Sequence, residues 1–266
     1  MKATVEKVSL KESKNGSSYL MGVMTTDEGS LEFKIWNNAD DNYDRLYDNP
    51  HIKIHSFKMD SWNNREYMVI QSFESEDGFV YTRENSFTEE LEMIKSEEVK
   101  ELVKTVLEVV PDYFFSIPAS STGKYHPKLS LGYGGLIRHT KTAVKFADRL
   151  MRNEQMGTFD DDDRDIVIAS LILHDSVKNG WNGSQFTVAK HPKLASELVN
   201  KVGEDLGFND EYYYEISKCI ASHMGQWNTN KNGKEILPKP VGKLEEIVHM
   251  ADYLSATRFI NVDFDE

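Results

Sequence analysis

Apolar and polar residues alternate along the first part of the chain, up to about residue 75. A side-chain period of two is typical of β-strands that bury one face and expose the other. The alternation predicts five short strands, which turn signals separate, at residues 3–8, 19–24, 31–35, 52–59 and 67–73. Residues 39–47, between the third and the fourth strand, fit one short helix.

Beyond residue 90 the apolar positions recur at three- and four-residue spacing, which predicts helices. These helices are expected at residues 102–110, 136–151, 163–174, 192–202, 211–223 and 244–260. The acidic run at 160–163 fits the start of one of them, because carboxylates stabilise a helix N-terminus. We therefore predict two domains, an all-β barrel at residues 1–75 and an all-α domain at residues 91–266, joined by a linker at 76–90.

The order of the barrel elements is that of an OB fold, which commonly binds single-stranded nucleic acid. The side chains predicted to stack on bases or to contact the phosphate backbone are Lys34, Trp36, Trp62 and Tyr67. For Trp36 the alternative is packing against the second domain, because residues 1–75 contain 9 basic and 12 acidic residues and offer no basic track.

Composition narrows the class of protein. The 266 residues include 31 Lys and Arg against 44 Asp and Glu, a net charge of −13, which argues against a protein that coats duplex DNA or a membrane surface. The single cysteine, Cys219, excludes an internal disulfide and suits a reducing compartment. The amino terminus does not resemble a signal sequence, and no apolar run is long enough to cross a bilayer. We expect a cytoplasmic globular protein without a membrane segment.

Histidines and aspartates occupy the inward faces of the predicted helices. His139 and His223 lie on apolar stripes, His174 and Asp175 end a helix that is apolar nearly all round, and Asp252 faces inward on the last helix. A buried carboxylate has to be paired, hydrogen-bonded or metal-bound. A divalent cation satisfies the whole set, and imidazole with carboxylate suits Mn, Fe, Zn, Co or Ni. The alternative for each histidine alone is a hydrogen bond to a backbone carbonyl.

Three motifs in order resemble the HD-domain metal-dependent phosphohydrolases: GGLIRHT around His139, LHDSVK around His174, and HMADYLSA around Asp252. With an OB fold in front, and FFSIPAS and GKYHP before the first motif, the chain is similar over nearly its full length to the YhaM-type 3′-5′ exoribonucleases. It departs from their pattern in two places. Arg138 stands where an acidic residue is usual, and Met224 follows His223 where a second histidine is usual.

The resemblance implies roles for individual residues. A first metal ion would be held by His139, His174, Asp175 and Asp252, and a second by His191 and His223 with Asp175 as the bridge. Asp175 and Lys178 would act in catalysis, Lys178 by neutralising the phosphate, and His126 and Arg138 would contact substrate. His249 is expected to support the ligands. The cofactor would be one or two divalent ions, Mn by preference, with Fe, Co, Ni, Zn or Mg as alternatives.

Three functions follow from these expectations. The first is a divalent-metal-dependent phosphodiesterase, a 3′-5′ exonuclease on single-stranded RNA or DNA that uses metal-activated water. The second is a nucleotide or cyclic-nucleotide phosphohydrolase whose barrel serves in oligomerisation. The third is a non-catalytic single-strand-binding module. A homo-oligomer is compatible with each, because several barrels together would offset the weak affinity of one acidic barrel.

Overall fold

The structure is a computed structural model of the chain, and it describes residues 1–62, 65–76, 80–120, 126–127, 130–184, 186–230 and 232–257. These ranges contain a β-barrel followed by a helical domain. No helix in the described ranges combines the length and apolar character needed to cross a membrane.

The amino-terminal domain is a closed five-stranded barrel with the strand order β1-β2-β3-β5-β4. Its elements are β1 (Lys2–Glu12), β2 (Ser18–Thr26), β3 (Gly29–Ile35), α1 (Ala39–Asp48), β4 (His51–Trp62) and β5 (Arg65–Ser75). Strands β3 and β5 pair in parallel and the other neighbours pair antiparallel. This arrangement confirms the predicted OB-like barrel, including the helix between the third and fourth strands.

Alternation along the strands fills the barrel. Inward-facing residues form a core of their own, which includes Leu20, Met24, Phe33, Ile52 and Ile70. Gly22 faces inward among them, and a Cβ there would lie 2.1 Å from the Lys7 carbonyl oxygen and 2.7 Å from the Phe33 ring. Only a glycine therefore allows the large Phe33 ring to occupy the centre of this small barrel.

The carboxy-terminal part is helical, as predicted, and has a separate core. Its helices are α2 (Thr88–Glu92), α3 (Glu97–Val109), α4 (Gly135–Met151), α5 (Asp161–Leu173), α6 (His191–Leu206), α7 (Asp210–Ser222) and α8 (Lys243–Ser255). Helix α8 ends five residues before the predicted end at 260, and residues 258–260 lie outside the described ranges. Helix α5 is buried along nearly its whole length and contacts α3, α4, α7 and α8.

The acidic run before α5 acts as the predicted cap. The Asp160 side chain accepts a hydrogen bond from the Asp163 backbone N–H, and the Asp163 side chain accepts one from the Asp160 N–H. This capping box satisfies two donors that the helix itself leaves free. Asp163 also pairs with Lys243 at the start of α8, so the cap ties the central helix to the last one.

The predicted linker at 76–90 stays a prediction, and its residues 77–79 lie outside the described ranges. Tyr81 and Phe87 are buried in the helical core. The loop before α4 meets the barrel: a Cβ at Gly132 would lie 3.6 Å from Thr25 Oγ1, and the Tyr133 ring stands edge-on to His51 at 6.1 Å. The barrel therefore rests against the segment that leads directly into α4.

Candidate metal centre

Five segments of the helical domain each bring ligand atoms to one buried point. His139 lies in the second turn of α4, His174 and Asp175 follow the last residue of α5, and Asp252 lies in the last turn of α8. His191 begins α6, and His223 follows α7. All four histidines and Asp175 are buried. Their placement at helix ends lets several helices point at the same position.

The atoms that converge are imidazole Nε2 nitrogens and carboxylate oxygens. Asp252 Oδ1 lies 3.0 Å from His139 Nε2 and 3.5 Å from His174 Nε2. Asp175 Oδ2 lies 3.3 Å from His174 Nε2 and 3.8 Å from His139 Nε2. On its other side, Asp175 Oδ1 lies 2.9 Å from His191 Nε2 and 4.0 Å from His223 Nε2. Asp175 therefore stands between the two halves of the cluster.

Hydrogen bonds at Nδ1 fix which nitrogen of each ring carries the proton. His174, His191 and His223 each donate Nδ1–H to the carbonyl oxygen three residues earlier, at 2.7, 2.8 and 2.7 Å. His139 donates Nδ1–H to Ser255 Oγ at 2.9 Å, because the Ser255 hydroxyl hydrogen is already given to the Asp252 carbonyl. With the proton on Nδ1, each neutral ring presents an Nε2 lone pair to the cluster.

Lone pairs that face one another without a proton call for a cation. His139 Nε2, His174 Nε2 and Asp175 Oδ1 are buried and have no hydrogen-bond partner among the described residues. The 2.9 Å approach of His191 Nε2 to Asp175 Oδ1 is short but lacks the alignment of a hydrogen bond. Unsatisfied buried polar atoms of this kind are rare in folded proteins. The donor set of imidazole nitrogens and carboxylate oxygens fits a divalent transition metal.

Two overlapping groups of ligand atoms could each hold an ion. The atoms of His139, His174 and Asp252 lie within 4.8 Å of one another, and so do those of His174, Asp175 and His223. His191 adjoins the second group, since its Nε2 lies 3.3 Å from His223 Nε2. The predicted assignment differs in detail, since it gave Asp175 to both ions and His174 to the first alone, and it stays a prediction.

Charge in the cluster also favours a cation. Burial opposes ionisation of Asp175 and Asp252. At Asp175 this effect is outweighed by Lys178 and His174, and at Asp252 it is outweighed by hydrogen bonds with His139 and His174. The pKa of each carboxyl is therefore held well below its usual range. Burial likewise opposes protonation of His174, yet the two carboxylates raise its pKa to about 10. Without a metal ion, the cluster therefore takes up a proton as the positive charge that it needs.

Lys178 and His249 support this cluster. Lys178 Nζ lies 2.5 Å from Asp175 Oδ2, on the oxygen that also faces His139 and His174. His249 donates Nδ1–H to the His223 carbonyl at 2.7 Å, as expected of a residue that holds a ligand in place.

The two predicted substrate contacts near the centre occupy different places. The His126 ring stands edge-on to the His139 ring at 4.9 Å, and burial lowers the pKa of His126 to about 2. His126 therefore adjoins the ligands as a neutral side chain. Arg138 donates to the Tyr133 carbonyl at 2.5 Å and lies 5.8 Å from the centre of the Tyr81 ring. These contacts place Arg138 at the side of α4 that faces the barrel junction.

The barrel residues singled out from the sequence lie on its outer surface. Trp36 is 45% exposed and stacks on Tyr19 at 4.5 Å, so it does not pack against the helical domain through that face. Lys34 Nζ lies 3.9 Å above the Tyr67 ring, on the neighbouring strand of the same surface. Trp62 ends β4 and is 72% exposed. The stacked Tyr19 adds an aromatic residue that strand parity alone did not single out.

Comparison with known proteins agrees with this geometry. The family model described as "HD domain" matches residues 136–257, which contain every ligand of the cluster. The helical half of this chain carries an HD domain. The chain is also 22% identical over 272 residues to a 3′-5′ exoribonuclease YhaM of Listeria welshimeri. This alignment covers 91% of this chain and 80% of the relative. A Listeria monocytogenes protein of the same name is 21% identical with the same coverage. No solved structure matches.

These findings make the chain a hydrolytic enzyme with an HD domain. HD domains bind divalent metals, and the cluster of histidines and aspartates is compatible with such an ion. Sequence reasoning missed two features of the site. One is the hydrogen bond from His139 to Ser255, for which the shared helix face of Asp252 and Ser255 was the available signal. The other is that backbone carbonyls, expected only as an alternative to a metal ion, orient three of the rings while the Nε2 atoms of the same rings face the cluster. A backbone acceptor leaves no trace in residue identity.

Proposed function

We propose that the chain is a 3′-5′ exonuclease that acts on single-stranded RNA or DNA. The observation that carries the proposal is the combination of an OB-like barrel and an HD centre in one chain, 91% of which aligns with relatives named 3′-5′ exoribonuclease. A nucleotide phosphohydrolase needs no strand-binding barrel in front of its centre.

At the centre, the chain's own residues would bind and orient. His139, His174, Asp175 and Asp252 would hold one divalent ion, and Asp175 with His191 and His223 a second, Mn being our preferred metal. Such ions lower the pKa of water and neutralise charge on phosphate oxygens. The hydrogen bonds at Nδ1 keep all four rings in the orientation that binds metal, so little reorganisation is needed when substrate arrives.

Lys178 would neutralise charge on the phosphate of the substrate. Its side chain is 11% exposed, and its ammonium group pairs with Asp175 Oδ2 at 2.5 Å. With Asp175 engaged as a metal ligand, the Lys178 ammonium group would be available to interact with the non-bridging oxygens of a phosphodiester. A positive charge held where negative charge develops stabilises the transition state. The bound cations and Lys178 together allow a protein with a net charge of −13 to accept a polyanion.

The barrel would hold the strand. Its outer surface presents the Tyr19–Trp36 stack beside the Lys34–Tyr67 pair, which offers aromatic faces for bases and an ammonium group for a phosphate. The barrel contacts the loop that leads into α4, the helix of His139. A strand bound to the barrel would therefore lie on the domain that contacts the loop before the helix of His139. The single buried Cys219 supports a reducing, cytoplasmic location, and a homo-oligomer stays a prediction.

The experiment offers the purified protein, with Mn²⁺, a single strand labelled at its 5′ end and, in parallel, a panel of nucleotides and cyclic nucleotides. A ladder that shortens one nucleotide at a time from the 3′ end is the expected result. A strand labelled at its 3′ end should release labelled mononucleotide at once. Turnover of nucleotides with strands left intact would contradict the proposal, as would salt-sensitive strand binding without hydrolysis.

A further inference from the structure

An exposed pair of aromatic rings lies beside the ligands of the candidate metal centre. Trp227 and Tyr253 are 49% and 51% exposed, and their rings stack at 5.4 Å with an angle of 26° between the planes. Tyr253 directly follows the ligand Asp252, and Trp227 comes four residues after the ligand His223. Each ring gives one face to the other and keeps part of its surface open to solvent.

The pair is fixed to the centre by a short series of contacts. His249 lies 6.1 Å from the Trp227 ring and donates Nδ1–H to the His223 carbonyl. Gly225 makes this approach possible, because a Cβ there would lie 2.2 Å from the His249 ring, and its φ of +54° suits glycine. A rigid aromatic surface is thereby held one side chain away from a ligand.

The backbone beyond Trp227 is also fixed. Asn228 is 1% exposed, its side chain donates to the Leu237 carbonyl at 3.0 Å, and its own carbonyl accepts from the Ile236 N–H at 2.9 Å. The exposed indole is therefore attached to an ordered loop. A preorganised ring loses little conformational entropy when a flat ligand stacks on it.

We propose that the Trp227–Tyr253 pair stacks a nucleobase of the strand whose phosphate lies at the metal centre. This inference rests on the proposed function and names a part of its substrate site. A nucleobase lies one sugar away from its phosphate, and the pair is connected to the ligands by the chain neighbours Asp252 and Tyr253 and by the contact of His249 with both Trp227 and the His223 carbonyl. Stacking accepts every base, since each has a π-face, so the platform suits an enzyme that removes nucleotides without regard to sequence.

The test compares two strands that differ only in the 3′-terminal residue, one with an ordinary nucleotide and one with an abasic sugar. In the Trp227→Ala variant, kcat/KM for the first cleavage of the ordinary strand should fall about 5- to 150-fold, as expected for the loss of one stacked base. Trp227→Phe should recover part of this loss. The same substitution should change cleavage of the abasic strand little. Tyr253→Ala should resemble Trp227→Ala, whereas Tyr214→Ala is the matched control, because Tyr214 is 54% exposed on the surface of α7.

Equal losses on both strands would overturn the inference, because they would show that Trp227 has only a structural role. An unchanged kcat/KM on the ordinary strand would overturn it too. If the wild-type protein shortens no strand, the proposed function fails, and a second measurement still tests the platform. The triple variant Trp36→Phe, Trp62→Phe, Trp181→Phe keeps Trp227 as its one tryptophan. Its fluorescence with Mn²⁺ should be quenched by adenosine monophosphate and not by ribose 5-phosphate, and equal or absent quenching by both would overturn the inference.

Discussion

Replacing Ser255 with Ala removes the acceptor that fixes the proton of His139 in the described part of the chain. Ser255 is 1% exposed and His139 is fully buried, and 2.9 Å separates Ser255 Oγ from His139 Nδ1. Water cannot replace the lost hydroxyl without opening the core. The ring would then carry an unsatisfied Nδ1–H, which costs about 1 to 3 kcal/mol. It can avoid this cost by moving the proton to Nε2, and that change removes the lone pair that would bind metal.

Metal binding would force the proton back to Nδ1, so part of the cost of the unsatisfied Nδ1–H is subtracted from the binding free energy. Loss of the partner that orients a metal-binding histidine typically lowers affinity about 10- to 100-fold, which corresponds to about 1.4 to 2.7 kcal/mol. We expect this loss in Mn²⁺ titrations of the metal-free Ser255→Ala protein by calorimetry. Ser255→Thr keeps a hydroxyl group and should retain most of the affinity.

The matched control is Ser222→Ala. Ser222 is also 1% exposed at the end of a helix, and its hydroxyl donates to the Lys218 carbonyl at 2.9 Å, but it contacts no ligand ring in the described hydrogen bonds. Ser222→Ala should lose about as much stability as Ser255→Ala and keep the wild-type metal affinity. Wild-type Mn²⁺ affinity in Ser255→Ala would refute the assignment of the His139 proton, and equal losses in both variants would attribute the effect to general destabilisation.

Three further outcomes are expected. The pKa of His174 is raised to about 10 without metal, so its ring is protonated at pH 7. Metal binding should therefore release about one proton, which calorimetry in two buffers measures, and the metal affinity should rise with pH toward 10. Lys141→Met should lower the free energy of unfolding by about 3 to 5 kcal/mol in urea, because it leaves the Glu90 carboxylate, 2.9 Å from Lys141 Nζ in the native protein, buried and unpaired. Trp36→Ala should weaken single-strand binding by about 1 to 3 kcal/mol in fluorescence anisotropy.

Much of the architecture could be predicted because each half of the chain has one clear period. Alternation in the strands and the helical spacing of the stripes follow directly from burial of one face. The ligands could be predicted for the same reason, since a polar residue on an apolar stripe, such as His139, has to be buried with a partner. The described α8 ends at Ser255, before the predicted end at 260, because the apolar pattern in the sequence continues past the last helical residue.

Contacts between distant segments could not be predicted from the sequence. The approach of His249 to Gly225 depends on the packing of α8 against the end of α7, and no periodic pattern encodes it. Arg138 was expected to contact substrate, and no pattern in the sequence indicated its packing partners. In the structure its contacts with Tyr133 and Tyr81 lie at the junction with the barrel.

The most direct test of the metal-dependent nuclease is Asp175→Ala, because Asp175 contacts both halves of the ligand cluster. Asp205→Ala is the control, since Asp205 is a carboxylate on the surface of α6, paired there only with Lys201 among the described residues. Metal content and 3′-end shortening of a labelled single strand are measured for both variants and for the wild-type protein with and without chelator. We predict that Asp175→Ala and chelated wild-type protein retain neither bound metal nor shortening, while Asp205→Ala retains both. Strand shortening at the wild-type rate by the Asp175→Ala variant, or by the wild-type protein with chelator, would contradict the account.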